Sequence, residues 1–296
     1  MSLRRRIDQI YYAAGLIVSA PVGRFTSILL ARRNLTSKSP VIDAAGEAVV
    51  SLTSYGSRIA NVYQAIESIG RGAVLPSRLM LWLDKSEQGK QIPPELNRLM
   101  DRGLEIMFTR DYGPHKKYYP YIASQDSFNT PLVTADDDTL YPSWWLARLV
   151  AAWRQHPQTV NCYRSRVIAM NSNRLDRYSN WRVSRKGRVA SVRNIAVGAS
   201  GIIYPPALLQ ALQSAGTGFI NLCPTADDLW LHVQAIRNGF KIRQIDSAPH
   251  LFPTLPGTQR GGLYQDNLRA NRNDELIRKT YNDEDIEMLR SGVSTS

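Results

Sequence analysis

Three aspartates in a row, Asp136-Asp137-Asp138, follow a stretch with strand character, Pro131-Leu132-Val133-Thr134. Adjacent carboxylates repel, so a folded chain keeps such a run only where water or a cation takes up the charge. Hard oxygen donors suit Mg²⁺ or Mn²⁺, ions that keep open positions for the oxygens of a substrate phosphate. A solvated acidic turn capping a helix is the plain alternative. A second pair, Asp227-Asp228, precedes Leu229, Val233 and Ile236, one face of a helix stopped near Gly239. Thr225 with Asp228 three residues on reads equally as a capping box, where the helix dipole favours acid. His115-Lys116-Lys117 supplies two ammonium groups able to hold a diphosphate as point charges, or a solvated basic loop. The adjoining Tyr118, Tyr119 and Tyr121 can stack on a base or sugar, or pack. The glycines of Gly198-Ala199-Ser200-Gly201 either let the backbone approach a sugar or form a tight turn.

Elements that would position these groups alternate along the chain. Val49 to Leu52 reads as a strand ending in the turn Thr53-Ser54-Tyr55-Gly56, and Val62, Ile66 and Ile69 share one helical face closed by Gly70. Leu79 to Leu83 is a continuous apolar run suited to a strand buried on both faces. A short helix over Pro93 to Gly103, a strand over Leu104 to Phe108 and the strand before the aspartates follow. Pro142 opens a helix whose buried face is Leu146, Leu149, Val150 and Trp153, and Lys241 to Ile245 reads as a last strand. This alternation predicts an α/β fold with a mostly parallel, Rossmann-like central sheet flanked by helices. Ligands of such sheets bind beyond the carboxyl ends of the strands, where every motif above falls.

The composition is that of a folded chain: 296 residues, 43% apolar and 21% charged. Two cysteines, Cys162 and Cys223, without zinc-ligand spacing, read as core residues of a reducing compartment. The net charge of +12 is local. Residues 1–40 carry +6 and residues 160–193 carry +8, which leaves the remainder at −2. That distribution disfavours a nucleic-acid binder, which spreads charge along one face and has no use for a carboxylate cluster. The basic stretch from Arg164 to Arg193, with Tyr178 and Trp181, suits an acidic glycan, a lipid-linked pyrophosphate or a membrane surface. A solvated loop is its alternative.

The chain divides into an N-terminal segment 1–40, a body 41–256 and a tail 257–296. MSLRRR followed by IYYAAGLIVSA resembles a signal sequence, but Pro21 behind Val18-Ser19-Ala20 argues against cleavage, and the run is short for a span. Basic residues alternating with apolar ones through Phe25 to Ala31 suit an element lying at a membrane surface, or a helix packed on the body. Leu35 to Pro40 reads as a linker. The tail has a helical pattern from Asn273 to Arg290, which either packs on the core or mediates dimerisation.

An ordered set of segments carries a resemblance: VVSLTSYGSRI (49–59), LWLD (81–84), GPHKKYYP (113–120), TADDDTLYP (134–142), GIIYPP (201–206) and CPTADDLWL (223–231). Together they resemble the family-2-like bacterial glycosyltransferases of the GT-A fold, in the branch that builds surface polysaccharides (lipopolysaccharide, capsule or exopolysaccharide). The resemblance spans about residues 47–256. It implies transfer of a sugar from a UDP or GDP donor to a glycan or lipid-linked acceptor, with Mn²⁺ or Mg²⁺ as cofactor. Asp138 is then a direct metal ligand, with Asp136 at the metal or its water and His250 completing the shell. Asp136 and Asp137 also adjoin the nucleotide sugar, with Thr53, Tyr55 and Arg58 lining its pocket, Asp84 accepting from the base, and Lys116 and Lys117 on the diphosphate. Asp228 is the general base of an inverting transfer, beside Asp227; the family's usual Glu-Asp pair stands here as Asp-Asp. The implied location is cytoplasmic, peripheral on the inner face of the cell membrane. Alternatives are a non-catalytic glycan- or nucleotide-sugar-binding relative, and a sugar nucleotidyltransferase. The latter wants a Gly-rich, Arg-containing loop after the first strand, where only Gly56 occurs.

Overall fold

The computed structural model describes residues 21–171, 174–185, 187–255 and 272–292. Seven strands form one sheet in the order β12-β5-β11-β4-β1-β2-β3. They are β1 (Val49–Thr53), β2 (Arg78–Asp84), β3 (Leu104–Thr109), β4 (Leu132–Ala135), β5 (Thr159–Cys162), β11 (Ile202–Tyr204) and β12 (Lys241–Gln244). All neighbours are parallel except β11, which runs antiparallel between β4 and β5. The fold is α/β, with a mostly parallel central sheet flanked by helices, as the alternation of elements predicts.

Alternation along β1 assigns Val49 to one face, with Met80, Trp82 and Leu132, and Val50 and Leu52 to the other, with Leu79, Leu81 and Val133. Helices α2 (Val62–Gly70), α3 (Pro94–Met100) and α5 (Trp145–Gln155) cover the second face. The first is covered by α4 (Tyr119–Ala123), α6 (Pro206–Ala215), α7 (Phe219–Leu222) and α8 (Asp227–Arg237). Burial on both faces explains the nearly unbroken apolar runs of the central strands.

Register fixes the functional edge. Thr53 pairs with Trp82, Leu52 with Ala135 and Asp84 with Thr109, so β1, β2, β3 and β4 all end on one side. Because β11 runs the other way, with Ile202 opposite Thr134, the Gly198–Gly201 turn enters at that same side. Gly201 has φ +99°, and a Cβ there would stand 2.6 Å from the Trp145 indole nitrogen, so only glycine fits.

Between β5 and β11 the basic stretch is folded rather than a loop. It holds β6 (Ser165–Val167), β7 (Met170–Asn171), β8 (Arg174–Leu175), β9 (Arg182–Val183) and β10 (Asn194–Ala196), with β10-β6-β9 forming a small antiparallel sheet. Trp181 is buried, Arg166 donates to its carbonyl, and Arg193 donates to Leu289 O.

The tail's pattern resolves into two helices, Arg272–Thr280 and Asp283–Ser291, parted by an Asn282–Asp285 capping box. Leu276, Ile277, Tyr281 and Leu289 belong to the same core as α8, and Arg237 pairs with Asp285 at 2.8 Å, so the tail packs on the core. At the other end, residues 21–36, here called α1, are helical, so Leu35 and Thr36 extend a helix where a linker was expected. Residues 1–20 and 256–271, on which the signal-like opening and the 256/257 boundary fall, lie outside the described residues. No described helix is long and apolar enough to cross a membrane.

Candidate functional site

The aspartate turn follows β4 directly and is tied down at every step. The Asp136 N–H donates to Tyr141 Oη at 2.8 Å, and the Leu255 N–H donates to Asp138 O at 2.7 Å. Asp137 points inward, accepting from Ser54 Oγ at 2.6 Å and pairing with Arg58 at 2.6 Å. Burial pushes its carboxyl up to about 6 despite Arg58. The same guanidinium nitrogen reaches Asp138 Oδ2, also at 2.6 Å, while burial and the neighbouring Asp136 raise the Asp138 pKa. Arg58 stands 5.6 Å from the ring centre of the exposed Tyr55, and its Nε is buried with no partner among the described residues.

Across the cleft, Asp227 and Asp228 open α8, whose N-cap residue Ala226 makes no side-chain cap bond. The Asp228 carboxylate accepts from the Gly198 N–H at 3.2 and 3.3 Å, which ties the start of α8 to the Gly198–Gly201 turn. Asp228 shares a small internal cavity with Val160, Ile202 and Tyr204. Burial in these surroundings, together with Asp227, raises its pKa well above the usual carboxylate range.

Lys117 joins the two acidic groups. Its Nζ lies 3.1 Å from Asp136 Oδ1 and 3.2 Å from Asp227 Oδ2. Burial disfavours its charge, but Asp136, Asp227 and Asp228 outweigh that and raise its pKa well above the ordinary lysine value. A Cβ on Gly198 would stand 3.3 Å from both Asp228 Oδ1 and Lys117 Nζ, so the turn's backbone closes this network tightly.

The other expected site residues have partners of their own. Thr53 Oγ1 donates to Trp82 O at 2.8 Å within the sheet edge. Asp84 caps a short 3-10 helix, accepting from the Ser86 N–H, a bond that lowers its pKa. The buried Lys116 pairs with exposed Asp111 at 3.0 Å. His250 bonds Asp246 at 2.6 Å, stacks on Phe252 and neighbours Trp144. Asp246 in turn takes a bidentate bond from Arg148 at 2.6 and 2.7 Å. His250 therefore joins the Asp246 pair rather than a three-donor set with Asp136 and Asp138. Tyr118 and Tyr121 are core residues, and Tyr118 Oη bonds His115 Nδ1. Ser54 is a site group that its side-chain type did not flag. Ser54 had one signal, its place in the turn after β1.

The donor set can be tested for a divalent cation. Five carboxylates, Asp136, Asp137, Asp138, Asp227 and Asp228, share Arg58 and Lys117, which leaves excess negative charge in a partly desolvated cleft. That excess and the oxygen chemistry fit Mg²⁺ or Mn²⁺. No group of three or more His, Cys, Asp or Glu among the described residues is arranged to hold a metal. The fit therefore requires oxygens from another molecule, such as a diphosphate.

No family model matches the chain, and no curated protein matches it. Solved structures do. The mannosyltransferase PcManGT from Pyrobaculum calidifontis, in complex with GDP-Man and Mn²⁺, aligns with TM-score 0.51 at 16% identity, over 94% of this chain and 79% of its own. S. aureus TarS (residues 1–349) aligns at 0.44 and 12% identity, over 82% and 69%. A CMP-2-keto-3-deoxy-manno-octonic acid synthetase complexed with CTP aligns at 0.45 and 13%, over 78% and 100%. At 16% identity the likeness to the mannosyltransferase is one of fold, the GT-A type.

Proposed function

We propose that this chain is a metal-dependent inverting glycosyltransferase of bacterial surface polysaccharide assembly. It moves a sugar from a UDP or GDP donor to a glycan or lipid-linked acceptor at the inner face of the membrane. One observation carries the reading: the carboxylates ending β4 and those opening α8 meet across Lys117, at 3.1 and 3.2 Å. Such a cleft offers two acidic groups in different environments, which is what metal-assisted departure and proton removal demand separately.

Asp136 and Asp138 would hold Mn²⁺ or Mg²⁺ together with diphosphate oxygens, and the bound ion would offset charge building on the leaving nucleoside diphosphate. Arg58 adds a guanidinium that reaches the aspartate turn through Asp137 and Asp138 and can share its charge with a diphosphate bound there. The exposed Tyr55 ring gives a base or ribose an apolar surface beside it. Asp228 removes the proton of the acceptor hydroxyl as that oxygen attacks the anomeric carbon. With its pKa raised by burial and by Asp227, it is a stronger base, once ionised, than an ordinary carboxylate. The Gly198 N–H holds the carboxylate's orientation, and Lys117 keeps Asp227 from competing for the proton. One base opposite the leaving group produces inversion. The single glycine of the β1 turn, Gly56, disfavours nucleotidyl transfer, which would need a phosphate-cradling loop there.

The test is a panel of nucleotide sugars with and without Mn²⁺ or Mg²⁺, scored by thermal stabilisation and slow nucleotide release. Stabilisation by one UDP- or GDP-sugar only with metal is the expected result. No response of the wild type to any nucleotide with metal would overturn the reading.

A further inference from the structure

Helix α1 (residues 21–36) presents the reverse of an ordinary surface helix. Its inner face is anchored: Asn34 Nδ2 donates to Glu67 Oε1 and to Glu95 O, and Arg33 donates to Glu67 and to Gly70 O. Gly23 lies against Thr254 O, and Leu30 forms a buried cluster with Leu140 and Leu255. The outer face carries Val22, Phe25, Ile28, Leu29 and Leu35 in one stripe at helical spacing, with Phe25 65% and Ile28 68% exposed. A helix packed on a water-facing surface turns polar residues outward, and this one turns its apolar residues outward instead. Arg24 and Arg32 are exposed on that same side, and residues 21–36 include no acid. Apolar side chains interleaved with cations, uncompensated by carboxylates, match an anionic headgroup boundary in both chemistry and charge.

We propose that the outer face of α1 binds an anionic lipid surface, with Phe25 and Ile28 entering the acyl boundary and Arg24 and Arg32 meeting lipid phosphates. This deepens the membrane-facing part of the proposed function by naming the residues that dock. It also says how docking relates to the site. Leu30 packs on Leu140, two residues past Asp138, and on Leu255, whose N–H holds the Asp138 carbonyl at 2.7 Å. The helix that meets the lipid is thus fixed to the aspartate turn itself. An acceptor embedded in the same surface is delivered to a cleft held at constant height, which is the advantage of anchoring at this point over anchoring elsewhere.

The experiment is sedimentation of the full-length protein with phosphatidylcholine vesicles, with or without phosphatidylglycerol, in the absence of nucleotide. Wild type is expected to sediment with anionic vesicles and scarcely with neutral ones. The Phe25→Ser/Ile28→Ser and Arg24→Glu/Arg32→Glu variants should each bind about tenfold more weakly or worse. Both pairs are solvent-exposed, so unchanged melting temperatures check that the fold is intact. A Phe25→Trp probe should shift its emission to the blue only when anionic vesicles are added. Equal binding by wild type and both variants, or a probe already blue-shifted without lipid, overturns the proposal; the latter means the face is covered by residues 1–20 or a second copy. Because no donor is present, failure here leaves the glycosyltransferase reading standing, and failure of the nucleotide panel leaves this result standing.

Discussion

Lys117 Nζ lies 3.2 Å from Oδ2 of Asp227, the first residue of α8. The same ammonium holds Asp136 at 3.1 Å. Replacing it with methionine leaves two carboxylates facing each other with no cation between. Breaking a buried pair in this way costs about 3–5 kcal/mol. Lys117→Met should melt markedly lower than wild type by calorimetry, and lose sugar transfer more severely than donor binding. Wild-type melting of this variant would show the lysine to be free rather than bound.

The two acidic groups should separate by assay. Asp138→Ala is expected to abolish metal-dependent stabilisation by the nucleotide sugar. Asp228→Asn should retain that stabilisation and lose transfer about 10²–10⁴-fold, the usual worth of a positioned general base. Retained turnover in Asp228→Asn would transfer the base role to another group.

Arg58 occupies Asp138 with a cation of its own. Metal arriving without nucleotide must compete with that guanidinium for the same carboxylate. Arg58→Ala should therefore show a larger Mn²⁺-induced thermal shift in the absence of donor than wild type does. Its baseline melting temperature should be lower, because Asp137 loses its cation. An unchanged Mn²⁺ shift would mean that Arg58 and metal do not share Asp138.

Two buried histidines predict acid sensitivity. His115 and His232 each donate from Nε2 to a backbone carbonyl, of Cys223 and Val192, and accept at Nδ1 from a tyrosine hydroxyl, of Tyr118 and Tyr281. Both are satisfied only when neutral, and burial lowers both pKa values to about 4 from the ordinary 6.5. Between these values the unfolded chain binds more protons than the folded one. The stabilisation is complete above pH 6.5, falls as pH drops towards 4, and levels off below. Each histidine contributes about 1.4 kcal/mol per pH unit to the slope. Urea unfolding across this window should show the decline, and His232→Gln should reduce its steepness.

Gly201 supplies a control outside the acids. A side chain at φ +99° with its Cβ 2.6 Å from the Trp145 nitrogen cannot be accommodated without moving the turn. Gly201→Ala should destabilise by about 2 kcal/mol. By shifting the Gly198 N–H off Asp228 it should also lower transfer more than donor binding.

Much of this was legible in the residues. Runs such as Leu79 to Leu83 and Leu132 to Val133 specify doubly buried parallel strands because their apolar character is local and continuous. The acids follow directly on a strand or open a helix, so their place at the carboxyl edge of the sheet follows from chain order. The confinement of the excess charge to two segments was likewise a matter of counting. What the tertiary structure decided is which partner each charged group meets. Lys117 and Asp227, or Arg58 and Asp138, lie far apart in the chain, and only the strand order and the reversed β11 bring them within 3.2 Å. Sequence spacing carries no information on such pairs, because their energy depends on burial and distance after folding. For the same reason the sequence left open whether Asp228 caps its helix, whether His250 joins Asp138, and which side of α1 faces outward.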